Sequence, residues 1–135
     1  YIIEYFASRG HRCIAIDLRG YGNSDKPYTG YDYDRMAMDI KLVIDALKLS
    51  DITLVGHSMG GAICLRYMSK FNEDKVSRLC LLSAVAPKWV QSSNWLYGYT
   101  VDEVNKLIDS FKSDKPKAII DTSESFFINL LVKVY

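Results

Sequence analysis

The chain has 135 residues and 15.4 kDa, and 17 Lys+Arg against 16 Asp+Glu give it a formal net charge of +1. A composition of 49% hydrophobic and 24% charged residues excludes a disordered or collagen-like chain. The near-zero, mixed-sign charge leaves no electrostatic footprint for nucleic acid or an anionic membrane.

In chain order, Ile2, Ile3, Tyr5 and Phe6 open a short apolar stretch that Gly10 can end as a helix C-terminal glycine. Arg12-Cys13-Ile14-Ala15-Ile16-Asp17 is an apolar run between turn residues and predicts a strand buried on both faces. Gly20, Gly22, Pro27 and Gly30 make the following segment a loop, and Tyr28, Tyr31 and Tyr33 are expected to cover the sheet edge. Asp34 is placed to cap a helix whose Ala37, Ile40, Val43, Ile44 and Leu47 fall at helical spacing. Ile52-Thr53-Leu54-Val55 predicts a second buried strand, running straight into Gly56-His57-Ser58-Met59-Gly60-Gly61 and a helix with Ile63, Cys64, Tyr67 and Met68. Residues 76–83 predict a third strand. Strands alternating with helices and lacking hairpin turns imply a parallel α/β sheet.

Beyond Pro87 the pattern changes, which divides the chain into residues 1–86 and 87–135. Residues 87–100 are loop-like and carry Trp89, Trp95, Tyr97 and Tyr99, which suit either a small core or an apolar pocket wall. Thr100 and Glu103 form a capping box ahead of Val104, Leu107, Ile108 and Phe111. Pro116 begins another helical stretch with Ile119, Ile120, Phe126, Phe127, Leu130 and Leu131. The first residue is Tyr1 and the chain ends at Tyr135 inside an apolar pattern, so both ends are expected to be truncated.

Cys13, Cys64 and Cys80 lie in apolar stretches without Cys-x-x-Cys spacing, so all three are expected as reduced core thiols in a reducing, cytoplasmic setting. The two histidines, His11 and His57, lack ligand-spaced partners, and no metal or cofactor is expected. No run approaches the roughly 18 apolar residues of a spanning helix, and no signal-peptide pattern is visible.

Gly56-His57-Ser58-Met59-Gly60 fits G-x-S-x-G, and its setting between a buried strand and a helix is the one in which the central serine takes a strained turn conformation. A Cβ at either flanking glycine, Gly56 or Gly60, is expected to collide with backbone, while Gly61 and Ala62 should let the helix pack closely. The Ser58 hydroxyl would then rise above the carboxyl end of the sheet, where open α/β folds bind ligands. The Met59 amide, at the helix start, can donate to a developing oxyanion. A P-loop is excluded because Ala62-Ile63 follow where Lys and Ser/Thr belong. A dinucleotide fingerprint is excluded because Gly20-Tyr21-Gly22-Asn23-Ser24-Asp25 lacks the third glycine.

Asp17-Leu18-Arg19-Gly20-Tyr21-Gly22-Asn23-Ser24 together with Val55-Gly56-His57-Ser58-Met59-Gly60-Gly61 resembles the α/β-hydrolase superfamily, in its esterase, haloperoxidase and lipase-like branch. The likeness covers residues 1–86, and residues 87–135 look like the start of that family's helical cap. It implies a partial α/β-hydrolase fold of three parallel strands with crossover helices. It also implies Ser58 as nucleophile, Met59 as one oxyanion amide, and a small ester or acyl substrate. The family's second oxyanion donor, its acid and its histidine would fall outside this chain, which then resembles roughly half of a fold that runs to about 250 residues. The family places a strand between those predicted here at 12–17 and 52–56, so these two should leave a gap or pair unnaturally.

Asp17 and Arg19 are expected to fix loops. His57 should buttress the elbow or pack under it, since its ring cannot readily turn back to the neighbouring hydroxyl. His11 stands about 20 Å away, at the other end of its strand. Neither serves as general base, so the chain alone should not turn over. The leading function is a serine hydrolase of esters. The alternatives are a cofactor-free haloperoxidase or perhydrolase of the same fold, and a non-catalytic protein using the fold as a ligand pocket. A serine at 58, where haloalkane dehalogenases carry aspartate, argues against dehalogenation.

Overall fold

The computed structural model describes residues 2–85 and 88–131, with side chains described as far as Ser123. The boundary expected at 86–87, Tyr135 and the side chains of Phe126, Phe127, Leu130 and Leu131 lie outside these residues. The chain forms two compact units, residues 1–87 and 88–135.

In the first unit, α1 (Ile2–Ala7) is a six-residue helix with no buried side chain. The turn that follows it closes at Gly10, whose φ of +86° is one a Cβ would oppose. α2 (Tyr33–Ala46) begins where Asp32, extended, accepts the Arg35 N–H at 2.9 Å. The cap is therefore Asp32 and not Asp34, because only the residue still in extended backbone can reach the amide three positions on. Asp34 sits in the first turn, where its carboxylate accepts Arg66 Nε at 2.9 Å and Lys70 Nζ at 2.8 Å from α3 (Met59–Phe71). These bonds from Lys70 and Arg66 hold the Asp34 carboxyl below its ordinary range.

Met36, Ala37, Ile40 and Ile44 on α2 meet Ile63 and Tyr67 on α3 to form the core. The Tyr67 ring is wholly buried, and its hydroxyl donates to the Asp74 carbonyl at 2.7 Å, which satisfies the polar end that burial would otherwise penalise. Leu42 and Leu47 face outward, so the apolar stripe of α2 is narrower than its sequence suggests.

β1 (Ile52–His57) and β2 (Val76–Leu82) pair in parallel, with Leu54 opposite Leu79 and His57 opposite Leu82. Ile52, Leu54 and Val76 pack against the α2–α3 core. The other face is open: Thr53, Val55 and His57 are exposed, so β1 is covered on one side where burial on both was expected. The sheet has two described strands, not three. Residues 12–17 form no strand, and Ile14 and Ile16 are exposed. Apolar, β-branched sequence supplies only the propensity; a strand also needs a neighbour for its amides and carbonyls, and none pairs with this segment among the described residues. Tyr28 is fully exposed and covers no edge, with Tyr31 and Tyr33 also exposed.

In the second unit, Ser92 and Trp95 exchange backbone hydrogen bonds at 2.8 and 2.9 Å in a tight loop. α4 (Val101–Ser113) opens on the expected capping box: Thr100 Oγ1 accepts the Glu103 N–H, and the Glu103 carboxylate accepts the Thr100 N–H at 2.7 Å. α5 (Lys115–Leu131) starts as Asp114 accepts the Lys117 N–H at 3.0 Å, with Pro116 in the first turn, where no amide is needed.

Candidate active site

Ser58 follows β1 directly and stands as the N-cap of α3 with φ +52° and ψ −122°. A serine in that role normally turns its hydroxyl onto an amide of the first turn; here the side chain makes no capping bond. The hydroxyl has no hydrogen-bond partner among the described residues. Left-handed backbone at a non-glycine residue costs of order 1–3 kcal/mol and survives only where surroundings enforce it. The enforcement is local: the Ser58 N–H donates to the Leu82 carbonyl at 3.0 Å, and the Ser58 carbonyl accepts Gly61 N–H at 2.9 Å and Val85 N–H at 3.1 Å.

The glycines divide. A Cβ on Gly56 would lie 2.5 Å from the Gly60 carbonyl oxygen, and one on Gly61 would lie 2.3 Å from Ala84 Cβ. Both positions are closed to any side chain by backbone-fixed neighbours. Gly60 is different: a Cβ there meets nothing within 4 Å, so the collision expected at that position does not exist. The elbow turns about Ser58 itself, and the close approach falls on Gly56 and Gly61.

Ser58 shares a cleft of about 350 Å³ with Ile16, Asp17, Leu18, Tyr21, His57, Met59 and Gly60. Met59 is the first residue of α3, so its N–H belongs to the amides that helix geometry leaves without an intrahelical acceptor. His57 is exposed beside the serine and does not pack under the elbow. His11 lies against Phe6, ring centroids 5.7 Å apart, and neither histidine hydrogen-bonds Ser58. Sequence reasoning passed over Ile16, Leu18 and Tyr21 as cleft residues. Their signal was position alone: they follow one another at the carboxyl end of the 12–17 run, level with the elbow.

Asp17 and Arg19 shape that wall. The Asp17 carboxylate accepts the Asn23 N–H at 2.9 Å and its carbonyl accepts Ser24 Oγ at 2.6 Å. Arg19 binds Asp39 of α2 with both Nε (2.6 Å) and Nη2 (2.9 Å), a paired geometry that fixes the loop in direction as well as distance. Among the described residues no group of three or more His, Cys, Asp or Glu is arranged to hold a metal ion.

The cysteines do not share one environment. Cys64 is buried on α3, and burial pushes its thiol up to about 11. Cys13 is half-buried and Cys80 exposed on the open sheet face, so the expectation of three core thiols holds for one. Both corrections have the cause already met: the 12–17 segment and the far face of β2 lack a covering layer. In the second unit Trp89 stacks edge-on against Tyr99 and Trp95 against Tyr97, each at 5.2 Å. Tyr97 remains 73% exposed, so these pairs do not make a closed core.

A family profile described as alpha/beta hydrolase fold matches residues 1–132. The AB hydrolase superfamily protein YisY of Bacillus subtilis is 45% identical over 127 residues, covering 94% of this chain and 47% of that protein. A non-heme chloroperoxidase of Streptomyces lividans is 33% identical over 123 residues, covering 91% of this chain and 45% of its own. The solved esterase from Exiguobacterium antarcticum superposes with a TM-score of 0.80 at 46% identity, over 91% of this chain and 47% of that one. The chain thus spans about half the length of each of these relatives. No described helix is long and apolar enough to cross a membrane.

Proposed function

The chain belongs to the alpha/beta hydrolase fold family, and from that premise we propose that it carries the nucleophile portion of a serine hydrolase acting on carboxylic esters. The observation that carries the reading is Ser58: a left-handed φ of +52° held by three backbone hydrogen bonds, with a hydroxyl left out of capping at the rim of a cleft. Strain kept at one residue with an uncommitted nucleophilic atom is how a reactive oxygen is presented to substrate. The hydroxyl attacks the ester carbonyl, the Met59 N–H donates to the oxyanion that forms, and collapse expels the alcohol and leaves an acyl-serine for water to cleave. The helical unit from Lys88 is assigned as the beginning of a cap. Similarity to the esterase of Exiguobacterium antarcticum supports this reading.

A serine hydroxyl needs a base to become a nucleophile at neutral pH. Neither His57 nor His11 hydrogen-bonds it, and the 135-residue chain by itself is expected to lack turnover. The assay is p-nitrophenyl ester hydrolysis by the purified chain and by Ser58→Ala: both are expected at the buffer rate, and Ser58-dependent turnover would contradict the inactivity of the chain by itself while supporting Ser58 as the nucleophile. Similarity to a non-heme chloroperoxidase favours a second reading within the same chemistry, in which hydrogen peroxide takes the place of water on the acyl-serine and releases a peracid. Oxidation of a halide by that peracid, with acetate and peroxide supplied, separates the two in a polypeptide that extends this chain to its relatives' length.

A further inference from the structure

The segment after β2 does more than leave the sheet. Leu82 accepts the Ser58 N–H at 3.0 Å, and only three residues later Val85 donates to the Ser58 carbonyl at 3.1 Å. Two residues, Ser83 and Ala84, therefore carry the chain from one side of the Ser58 peptide unit to the other. The turn is made at Ser83, which has a φ of +44° although it is not glycine. Ala84 fills the next position by resting where a Cβ on Gly61 would lie, 2.3 Å from Ala84 Cβ. The corner thus touches the amide of Ser58, its carbonyl and the first turn of α3.

We propose that residues 82–85 form a clamp in which Ser83 is a positioning residue for Ser58. The inference rests on the nucleophile reading above for its significance. Hydrogen bonds to both the N–H and the carbonyl of one residue restrict rotation on either side of its Cα, and so fix where its Cβ and hydroxyl point. Left-handed backbone at Ser58 and at Ser83 are then two parts of one device, since each relies on bonds that the other's turn brings into register. The Ser83 hydroxyl has no part in this; what matters is a residue that tolerates positive φ.

The test is amide hydrogen exchange by NMR on the 135-residue chain and three variants. Ser83→Val places a β-branched residue where φ is positive and is expected to speed exchange of the Ser58 and Val85 amides about tenfold or more, with the remaining β1–β2 ladder amides unmoved. Ser83→Gly, which takes positive φ freely, is expected to keep Ser58 protection within about twofold of the parent. Val85→Pro removes the donor, its ring also restricting the backbone at 85 and at Ala84, and is expected to release the Ser58 amide in the same way, a second route should Ser83→Val fold poorly. The Ser58 amide–α-proton coupling, which reports φ directly, should shift with Ser83→Val and return with Ser83→Gly. Unchanged Ser58 exchange in both Ser83→Val and Val85→Pro overturns the clamp, as does equal loosening of the whole ladder. Neither readout passes through chemistry at the hydroxyl. A Ser58 that never reacts would remove the nucleophile and leave the clamp standing, whereas unmoved exchange removes the clamp and leaves the nucleophile.

Discussion

Two adjacent glycines should respond to alanine with opposite signs. At Gly61 the new Cβ would sit 2.3 Å from Ala84 Cβ, against an ordinary contact of at least 3.4 Å, so a separation of about 1.1 Å must be found. Ala84 has no rotatable side chain and the next neighbours are its own Cα at 3.0 Å and the Gly56 carbonyl oxygen at 3.3 Å, so only backbone can move. Overpacking that backbone must absorb belongs at the upper end of about 1–3 kcal/mol. Alanine returns up to about 1 kcal/mol of helix propensity, leaving a net loss of roughly 2 kcal/mol. For the 87 residues of the first unit that is a fall in Tm of roughly 8–16 °C. Gly60→Ala meets nothing within 4 Å and should gain about 0.5 kcal/mol, or a few degrees. Thermal and urea unfolding of both variants provide the comparison. Adding Ala84→Gly to Gly61→Ala moves the vacant space to the other partner and should recover at least about 1 kcal/mol of coupling. Gly61→Ala as stable as the parent, or a double variant without recovery, would refute the packing described for the elbow.

Three further outcomes follow from other parts of the molecule. Ellman's reagent should modify Cys80 and Cys13 quickly in the native chain and Cys64 only on unfolding, because burial holds the Cys64 thiol near 11 and shields it; three equally fast thiols would contradict the α2–α3 packing. Lys70 and then Arg66 lower the folded Asp34 carboxyl, so its stabilisation is present above the unfolded value and is lost as pH falls through the lowered folded one. Tm recorded downward from about pH 5 should therefore drop less steeply in Asp34→Asn than in the parent; parallel slopes would refute the link. Tyr67→Phe strands the Asp74 carbonyl that now accepts at 2.7 Å and should cost about 1–2 kcal/mol in urea unfolding, with no loss implying that another donor reaches it.

Much of the elbow could be read from residue order. A β-branched run, G-x-S-x-G and a helical pattern in sequence give a turn between strand and helix, and β1, Ser58 and α3 follow that order. The capping box of Thr100 and Glu103 was equally legible, because both partners lie within one turn of the chain. What sequence could not supply was every feature set by a distant neighbour. Residues 12–17 have strand propensity but no paired edge. Cys80 sits in an apolar run yet faces an uncovered side. Gly60 has the right letter for a close approach that occurs at Gly61, where Ala84, 23 positions along, decides the matter. The 82–85 corner escaped notice for the same reason, since small residues after a strand look like a simple exit until their hydrogen bonds to Ser58 are seen. Choosing between Asp32 and Asp34 as the cap needed the backbone angle, not the residue type.

The proposed function stands on one event, presentation of the Ser58 oxygen for acyl transfer by the backbone of the elbow. It is tested most directly by treating a polypeptide that continues this chain to its hydrolase relatives' length with a fluorophosphonate and mapping the adduct by mass spectrometry. A single phosphonyl group is expected on the peptide containing Ser58, absent from Ser58→Ala. An unmodified Ser58 in a folded, ligand-binding protein would contradict it.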